Sequence, residues 1–315
     1  MYVFVMRRIL FYIPVLIGVS MAVFGLARLV PGDVVDIILS HVQMPEQAAR
    51  LRSLFGLDKA LHEQYFDWLG HTLRGDLGTS LFSGRPVLTE IWTALGPTME
   101  LAFTALLISV LVGIPLGVLA AVKRGSALDY ASGFVAYLGI STPVFWSGTI
   151  LILFFSIWLN VLPSGGYESL WSSPVQGFRL LIMPALALGL NFAALLMRVT
   201  RSSFLEVLRQ EYISTARAKG LSERVVLFKH AMRNAMITIM TVAGVQLGFL
   251  IGGSAIVEIV FMRPGIGRLL LTAVLRRDYP LIQGLTLFIA ITFMTVNLIV
   301  DVMYAVADPR IRMKI

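Results

Sequence analysis

Cysteine is absent from this 315-residue chain. That excludes disulfides, thiolate metal sites and a cysteine nucleophile, and it fits either redox compartment. Charge is scarce too. Asp, Glu, Lys and Arg supply 14% of the residues, against about 25% in ordinary soluble domains. The four histidines (His41, His62, His71, His230) include none in an H-E-x-x-H arrangement. No G-x-x-x-x-G-K-[ST] loop is present, so the chain has no phosphate cradle of that kind for ATP. Gly252-Gly253-Ser254-Ala255 lacks the last glycine of a nucleophile elbow. Pro264-Gly265-Ile266-Gly267-Arg268 has neither the spacing of a dinucleotide loop nor a strand before it. We therefore assign no catalytic, cofactor-binding or metal-ligating residue, and no internal repeat or low-complexity tract stands out.

What the chain has is apolar length. The hydrophobic fraction is 57% and the formal net charge +8. The basic residues flank apolar runs, where they set orientation, so nucleic acid is not an expected partner. Residues 9–30 form a run of about 33 Å if helical, enough to cross a bilayer core. It is too long for a signal-peptide core and lacks a clear cleavage site, so we read an uncleaved first span. Five more spans are expected near 100–122, 131–159, 180–198, 235–260 and 281–306. The third contains Ser141-Thr142-Pro143, which predicts a kink or break.

The resulting class is an all-α integral membrane protein with six transmembrane helices. A cytoplasmic N-terminus and first span (1–30) precede a helical extracytoplasmic insert (31–97). A transmembrane core (98–309) holds a cytoplasmic loop (199–234), and a cytoplasmic tail (310–315) follows. In the insert, Pro45 can open a helix at 45–55 that Gly56 closes. A second helix over 60–74 would place Leu61, Tyr65, Trp68 and Leu69 on one stripe and end at Gly75. Fifteen Lys/Arg then lie inside (among them Arg310, Arg312 and Lys314) and six outside, omitting the long insert. The bias puts both termini in the cytoplasm. Its weak point is the outer loop 261–283, with Arg263, Arg268, Arg276 and Arg277. There Pro264-Gly265 fits a type II turn, and 269–275 reads as a helix at the membrane surface or dipping partly in.

The most informative stretch is 210–234, QEYISTARAKGLSERVVLFKHAMRN. Between Arg198 and Arg233 stand eight Lys/Arg and three Asp/Glu. Burying that many charges in lipid would cost on the order of 30 kcal/mol, so the segment lies outside the membrane. Glu211 to Lys219 favours helix, Gly220 suits a C′ position with positive φ, and Leu221 would be C″ over Ala216. Ser222 can cap a second short helix with Glu223 in its first turn. Two short helices at a Gly-Leu-Ser corner would make a compact knob. Taken by itself, the stretch is also compatible with a generic positively charged inner loop.

Thr215-Ala216 with Gly220 four residues on, then His230-Ala231-Met232-Arg233-Asn234, resembles the EAA loop of binding-protein-dependent ABC importer permeases. Ser214 and Thr215 stand where many members carry Glu and Ala, and Met232-Arg233 replaces a later Leu-Pro. Further stretches resemble the dipeptide/oligopeptide branch: ARLVPGD (27–33), GLDKALHEQY (56–65), GDLGTS (75–80), GRPV (84–87), PGIGR (264–268), RDYPLIQ (277–283) and DPRIR (308–312). They run in order along nearly the whole chain. The resemblance implies the type I importer permease fold and a bacterial inner-membrane location. It also implies a second, related permease subunit, two ATP-binding subunits that hold the ATP, and an extracytoplasmic solute-binding protein. Glu211, Ser214, Thr215, Ala216, Arg217, Lys219, Gly220 and Leu221 would form the loop that couples to the ATPase. The chain itself would bind no cofactor and catalyse nothing, and membrane lipid would surround it.

Polar residues inside the apolar runs are candidates for the translocation path: Asn191, Gln246, Asn297 and Glu258. Asp301 lies near an inner end, within reach of water. Intramembrane ionisable groups default to functional hypotheses, while amides there also serve as helix–helix glue. The resemblance implies peptides as cargo, dipeptides or oligopeptides first, with nickel chelates, glutathione and opines as alternatives within the same class. An ion-coupled transporter would call for membrane-centred carboxylates and paired repeats, and a membrane enzyme for clustered His or carboxylates. Neither pattern is evident.

Overall fold

The computed structural model describes residues 2–29, 35, 45–54 and 56–307. Most of ARLVPGD, all of DPRIR and the C-terminal tail lie outside the described residues. Helix α1 (Tyr2–Leu29) is followed by two insert helices, α2 (Pro45–Leu54) and α3 (Leu61–Leu73). The long α4 (Val87–Val122) precedes α5 (Ala127–Ser141) and α6 (Val144–Leu151), which runs on as a π-helical turn to Trp158. Helix α7 (Pro174–Leu208) leads to the short α8 (Glu211–Ala218) and then α9 (Glu223–Gly252). Helices α10 (Ala255–Val260), α11 (Ile266–Arg276) and α12 (Tyr279–Ala307) complete the chain. Among the described residues the only β-pairing is an isolated bridge between Thr79 and Pro86.

Among the described residues, five helices are long and apolar enough to cross a membrane: α1, α4, α7, α9 and α12. The pair α5–α6, bent by 100° at the break before Pro143, makes a sixth crossing when taken as one broken span. Pro143 has no N–H to donate and disfavours helical geometry at Thr142, whose φ −83° and ψ 123° are extended. The predicted break is therefore real, and larger than a kink. Span limits move as well. Helix α4 begins at Val87 and α7 continues to Leu208, because helical hydrogen bonds extend past the apolar stretch that hydropathy marks. The predicted 235–260 span is instead one helix from Glu223 to Gly252, interrupted at Ser254, with Ala255–Val260 separate.

Close packing of α4 on α7 organises the bundle. Ala105, Ser109, Gly113, Gly117 and Ala121 recur every four residues along one buried face of α4. Ala185, Gly189 and Ala193 do the same on α7. A Cβ at Gly117 would stand 2.6 Å from the Met197 carbonyl oxygen, and one at Gly189 2.8 Å from that of Ala105. Such contact lets two backbones gain dispersion and excludes any larger residue, the usual logic of small-residue stripes between membrane helices. Three apolar clusters stack along this pair. One at the α8 end includes Ala121, Leu196, Phe204 and Ile239. A central one includes Ala105, Leu181, Leu250 and Phe261, and one at the other end includes Val87, Ile91, Ile266 and Leu285.

Helix α1 packs on α12, and Arg8 pairs with Asp301 at 3.1 Å. The first and last helices thus bring their terminal ends to the same side. The insert packs back on α1 through Phe24, Tyr65 and Trp68, with the Ser20 and Tyr65 hydroxyls 3.0 Å apart. The expected stripe on α3 is corrected at its first position. Leu61 is exposed, and Gln64 takes the inward place, donating to the Lys59 carbonyl.

Candidate functional site

Two polar features stand about 30 Å apart along α4, a distance set by helical rise. The first is the knob. Helix α8 ends as its sequence predicts: Gly220 takes φ +79°, its N–H donates to the Arg217 carbonyl, and the Leu221 N–H donates to that of Ala216. This is the paired bonding of a Schellman ending. Ile213 and Ala216 face inward onto Phe204, Val226 and Ala231. An eight-residue helix is too short to persist alone in water, so this buried seat holds it in place. Arg217 and Glu223 close the corner through a two-bond ion pair with a shortest N–O distance of 2.6 Å. The Asn234 amide donates to the Tyr212 hydroxyl at 2.7 Å.

Two expectations for this segment change. Ser222 occupies the N-cap position, yet its side chain makes no capping hydrogen bond, and Arg217 is what fixes Glu223. The second short helix is the start of α9, three α-helical residues (Glu223–Val225) that continue into a π-helical stretch at Val226–Ala231. The knob is thus one short helix clamped to the root of a membrane helix. Of the predicted loop residues, only Ala216 is buried; Glu211, Ser214, Thr215, Arg217, Lys219, Gly220 and Leu221 face solvent. Sequence reasoning missed the apolar part of that outer surface. Leu221, Val225 and Phe228 follow one another at helical spacing, and Phe228 is 67% exposed. The signal was available: an apolar residue that the buried stripe Val226–Ala231 does not use.

The second feature is a buried polar network at the far end of α4. Glu258 is fully buried, and its carboxylate accepts from the Thr98 hydroxyl at 2.9 Å, the Ser254 hydroxyl at 2.7 Å and the Arg268 backbone N–H at 2.8 Å. Thr98 in turn accepts from the Ile266 N–H. Arg263 is equally buried, pairs with Glu100 at 2.8 Å, donates to the Pro97 carbonyl and lies over the Tyr167 ring. Burial lowers the Arg263 guanidinium from its ordinary range, and the Glu100 carboxylate pulls it back up. Glu100 also accepts from the Ser169 hydroxyl and the Leu170 N–H.

The network explains PGIGR and corrects the turn expected there. Gly265 has φ −179° and ψ 172°, an extended conformation open to any residue, so no type II turn forms. Glycine is needed because a Cβ there would overlap the Glu258 carboxylate, and one at Gly267 would meet the Ala255 backbone at 2.6 Å. Positive φ falls instead on Met262 and Arg277. Overfilling a packed site costs about 1–3 kcal/mol. Gly265→Ala should therefore lower the unfolding midpoint in detergent, whereas Gly70→Ala, in open space, should not. Equal midpoints would refute this account of the motif.

Two other stretches singled out in the sequence also meet. The Ser80 hydroxyl in GDLGTS donates to the buried Asp278 carboxylate in RDYPLIQ at 2.6 Å, and Asp278 accepts from the Leu281 N–H at the start of α12.

The path candidates are spread out. Asn191 donates to the Gly139 and Thr142 carbonyls and lines an apolar cavity of about 410 Å³ between α5, α6 and α7. Those bonds supply a donor where the break at Pro143 disturbs the helix. Gln246 is buried, accepts from the Ser109 hydroxyl and donates to the Phe192 carbonyl, joining α4, α7 and α9. Asn297 is half-buried on α12. The structure does not bring these residues to one place.

Among the described residues, a helical bundle with a bent third crossing and an interhelical knob clamped to the fifth makes a multi-pass membrane subunit. The chain belongs to the family of binding-protein-dependent transport system inner membrane components, matched over residues 113–313, with that family's N-terminal region matched over residues 1–102. It is 41% identical over 335 residues to the dipeptide transport system permease protein DppB of Escherichia coli (strain K12), covering 99% of each chain. It is 41% identical to the di/tripeptide transport system permease protein DppB of Pseudomonas aeruginosa (strain UCBPP-PA14) over 98% of each. With the glutathione transport system permease protein GsiC of Salmonella choleraesuis (strain SC-B67) it shares 43% identity over 99% of each. A crystal structure of an amino acid ABC transporter with histidines superposes with a TM-score of 0.54 at 15% identity, over 69% of this chain and 94% of that one. That likeness concerns the fold alone.

Proposed function

We propose that this chain is a non-catalytic permease subunit of an ATP-driven importer that carries short peptides across the bacterial inner membrane. Its kinship with dipeptide, di/tripeptide and glutathione permeases, each aligned end to end, favours peptides over nickel chelates or opines. Glutathione is itself a small peptide, so the three names share one cargo chemistry. The observation that carries the mechanism is the knob: an exposed apolar and basic surface fixed through a buried seat to α7 and α9. Two ATP-binding subunits would grip that surface, and a second permease and a solute-binding protein would complete the complex. The grip must differ between ATP-bound and ATP-free states, since only differential interaction shifts an equilibrium. Both termini and the knob would face the cytoplasm. Asn191, Gln246 and Asn297 would serve chiefly as helix–helix ties, and Glu258 as a buried anchor rather than a cargo ligand.

The test is ATP-driven release of labelled dipeptide from vesicles holding the complete transporter, with the ATPases on the outside and the solute-binding protein enclosed. Vesicles filled with labelled dipeptide would be expected to lose it only with ATP, and a protonophore should not matter. A cysteine at Ser222, in a chain with no other, should react with an impermeant maleimide from the ATPase side alone. Transport without ATP that a protonophore abolishes would overturn the reading in favour of an ion-coupled carrier.

A further inference from the structure

The seam between α5 and α7 combines two cavities that no part of the transport cycle above uses. The larger, of about 410 Å³, is apolar and runs from Trp146 and Leu190 to Met197. The smaller, of about 300 Å³, begins at Met197 and opens between Tyr130, Phe134, Arg198 and Arg201. Met197 lines both. Residues 186 to 201 of α7 rise about 22 Å, more than the roughly 15 Å of one hydrocarbon leaflet. The seam exists because the 100° bend before Pro143 carries α6 away from the line of α5.

Its charge is unbalanced at one end only. Arg201 is committed to Asp129 through two bonds, the shorter 2.6 Å. Arg124 acts on the same carboxylate. Arg198 is exposed and has no carboxylate partner among the described residues. Asp129 thus answers Arg201 and Arg124, while Arg198 lines the same cavity. Beyond Met197 the seam offers hydrocarbon, small residues and the Asn191 amide, whose donors are already used.

We propose that this seam binds one anionic phospholipid, with its headgroup phosphate at Arg198 and one acyl chain lying past Met197 toward Trp146. The chemistry selects that occupant. An apolar helix of another subunit would fill the length and leave Arg198 unanswered, whereas a free phosphate would answer Arg198 and leave the apolar section open to water. A phospholipid satisfies both ends, and each Lys or Arg near the surface contributes about 1 kcal/mol toward an anionic headgroup. The inference needs only membrane embedding and does not depend on the cargo.

The complete transporter would be reconstituted in vesicles of equal phosphatidylglycerol and phosphatidylcholine, released, and its retained lipid counted by native mass spectrometry. Wild type should retain phosphatidylglycerol over phosphatidylcholine by about fivefold to tenfold. Arg198→Gln should bring that ratio close to one, and Arg198→Lys should keep most of it. Gly133 lines the smaller cavity, and a Cβ there meets nothing within 4 Å, so Gly133→Phe should block retention of either lipid. Millimolar inorganic phosphate should not displace the lipid. Equal retention of the two lipids by wild type, or retention unchanged in both Arg198→Gln and Gly133→Phe, would overturn the site. So would lipid that binds the isolated chain and is lost from the assembled complex, which would assign the seam to the partner subunit. ATP-driven dipeptide release measured in the same vesicles separates failure of this site from failure of the transport reading.

Discussion

Ala216→Asp is expected to abolish ATP-driven uptake, to background, while leaving membrane insertion and helical content unchanged. The reasoning runs through the seat of α8. Ala216 is buried against the apolar cluster that holds Ile213, Val226 and Ala231, so a new carboxylate there would enter an apolar seat. An uncompensated buried charge costs several kcal/mol, and a helix of eight residues has little stability of its own to oppose that. The expected outcome is release of α8 from the root of α9, which leaves the membrane helices intact and removes the surface the ATPases would hold. Gly220→Val should act in the same direction. Its φ of +79° lies in the left-handed region, which costs an L-residue roughly 1–2 kcal/mol and a β-branched one more. Lys219→Ala, on the solvent side, serves as the control for insertion and folding. The decisive readout is co-purification of the ATP-binding subunits. Full recovery of those subunits with Ala216→Asp would show that the knob is not the coupling element.

Much of this architecture was legible because its signals are local. Apolar length gave the crossings, Pro143 gave the break, and Gly220 gave the end of α8. What was not legible depends on partners distant in sequence. Arg263 weakened the orientation count because sequence alone treats every arginine as solvated. In the structure it is buried against Glu100, 163 residues away, and does not act as a loop charge. Glu258 drew attention as an intramembrane carboxylate, and only its three donors show that its hydrogen-bonding capacity is occupied by the protein. Pro264-Gly265 matched a turn by composition, yet the glycine is there for the room it leaves beside Glu258. The stripe of Ala105, Ser109, Gly113, Gly117 and Ala121 is a different case. Its four-residue period was open to inspection, and it marks the helix pair on which the bundle is built.

Arg263→Met is expected to lower the apparent unfolding midpoint in detergent by roughly 10 °C, following a loss of about 3–5 kcal/mol. The arginine is fully buried, whereas Glu100 keeps 10% of its side-chain surface. Removing the guanidinium would leave a carboxylate met by neutral groups, the Ser169 and Tyr167 hydroxyls and the Leu170 N–H, with no cation in place of Arg263. Met fills similar volume, so the loss measures the stranded charge rather than a cavity. Adding Glu100→Gln should recover a large part of the midpoint, because a neutral amide keeps the acceptor that Ser169 and Leu170 use. A single variant as stable as wild type, or a double variant no better than the single, would show that the pair does not hold this end together. The same energetics constrain the transport cycle. Separating Arg263 from Glu100 at each turnover would carry that several-kcal/mol penalty, and Glu258 ties α10 and α11 to Thr98 on the same stretch of α4. Residues 97–100 and 254–268 should therefore move as one body, with the change of access falling at surfaces that no buried charge bridges. A disulfide from cysteines introduced across the Thr98–Ile266 contact should accordingly leave uptake intact, and a block on transport by that bond would place the moving joint within the network itself.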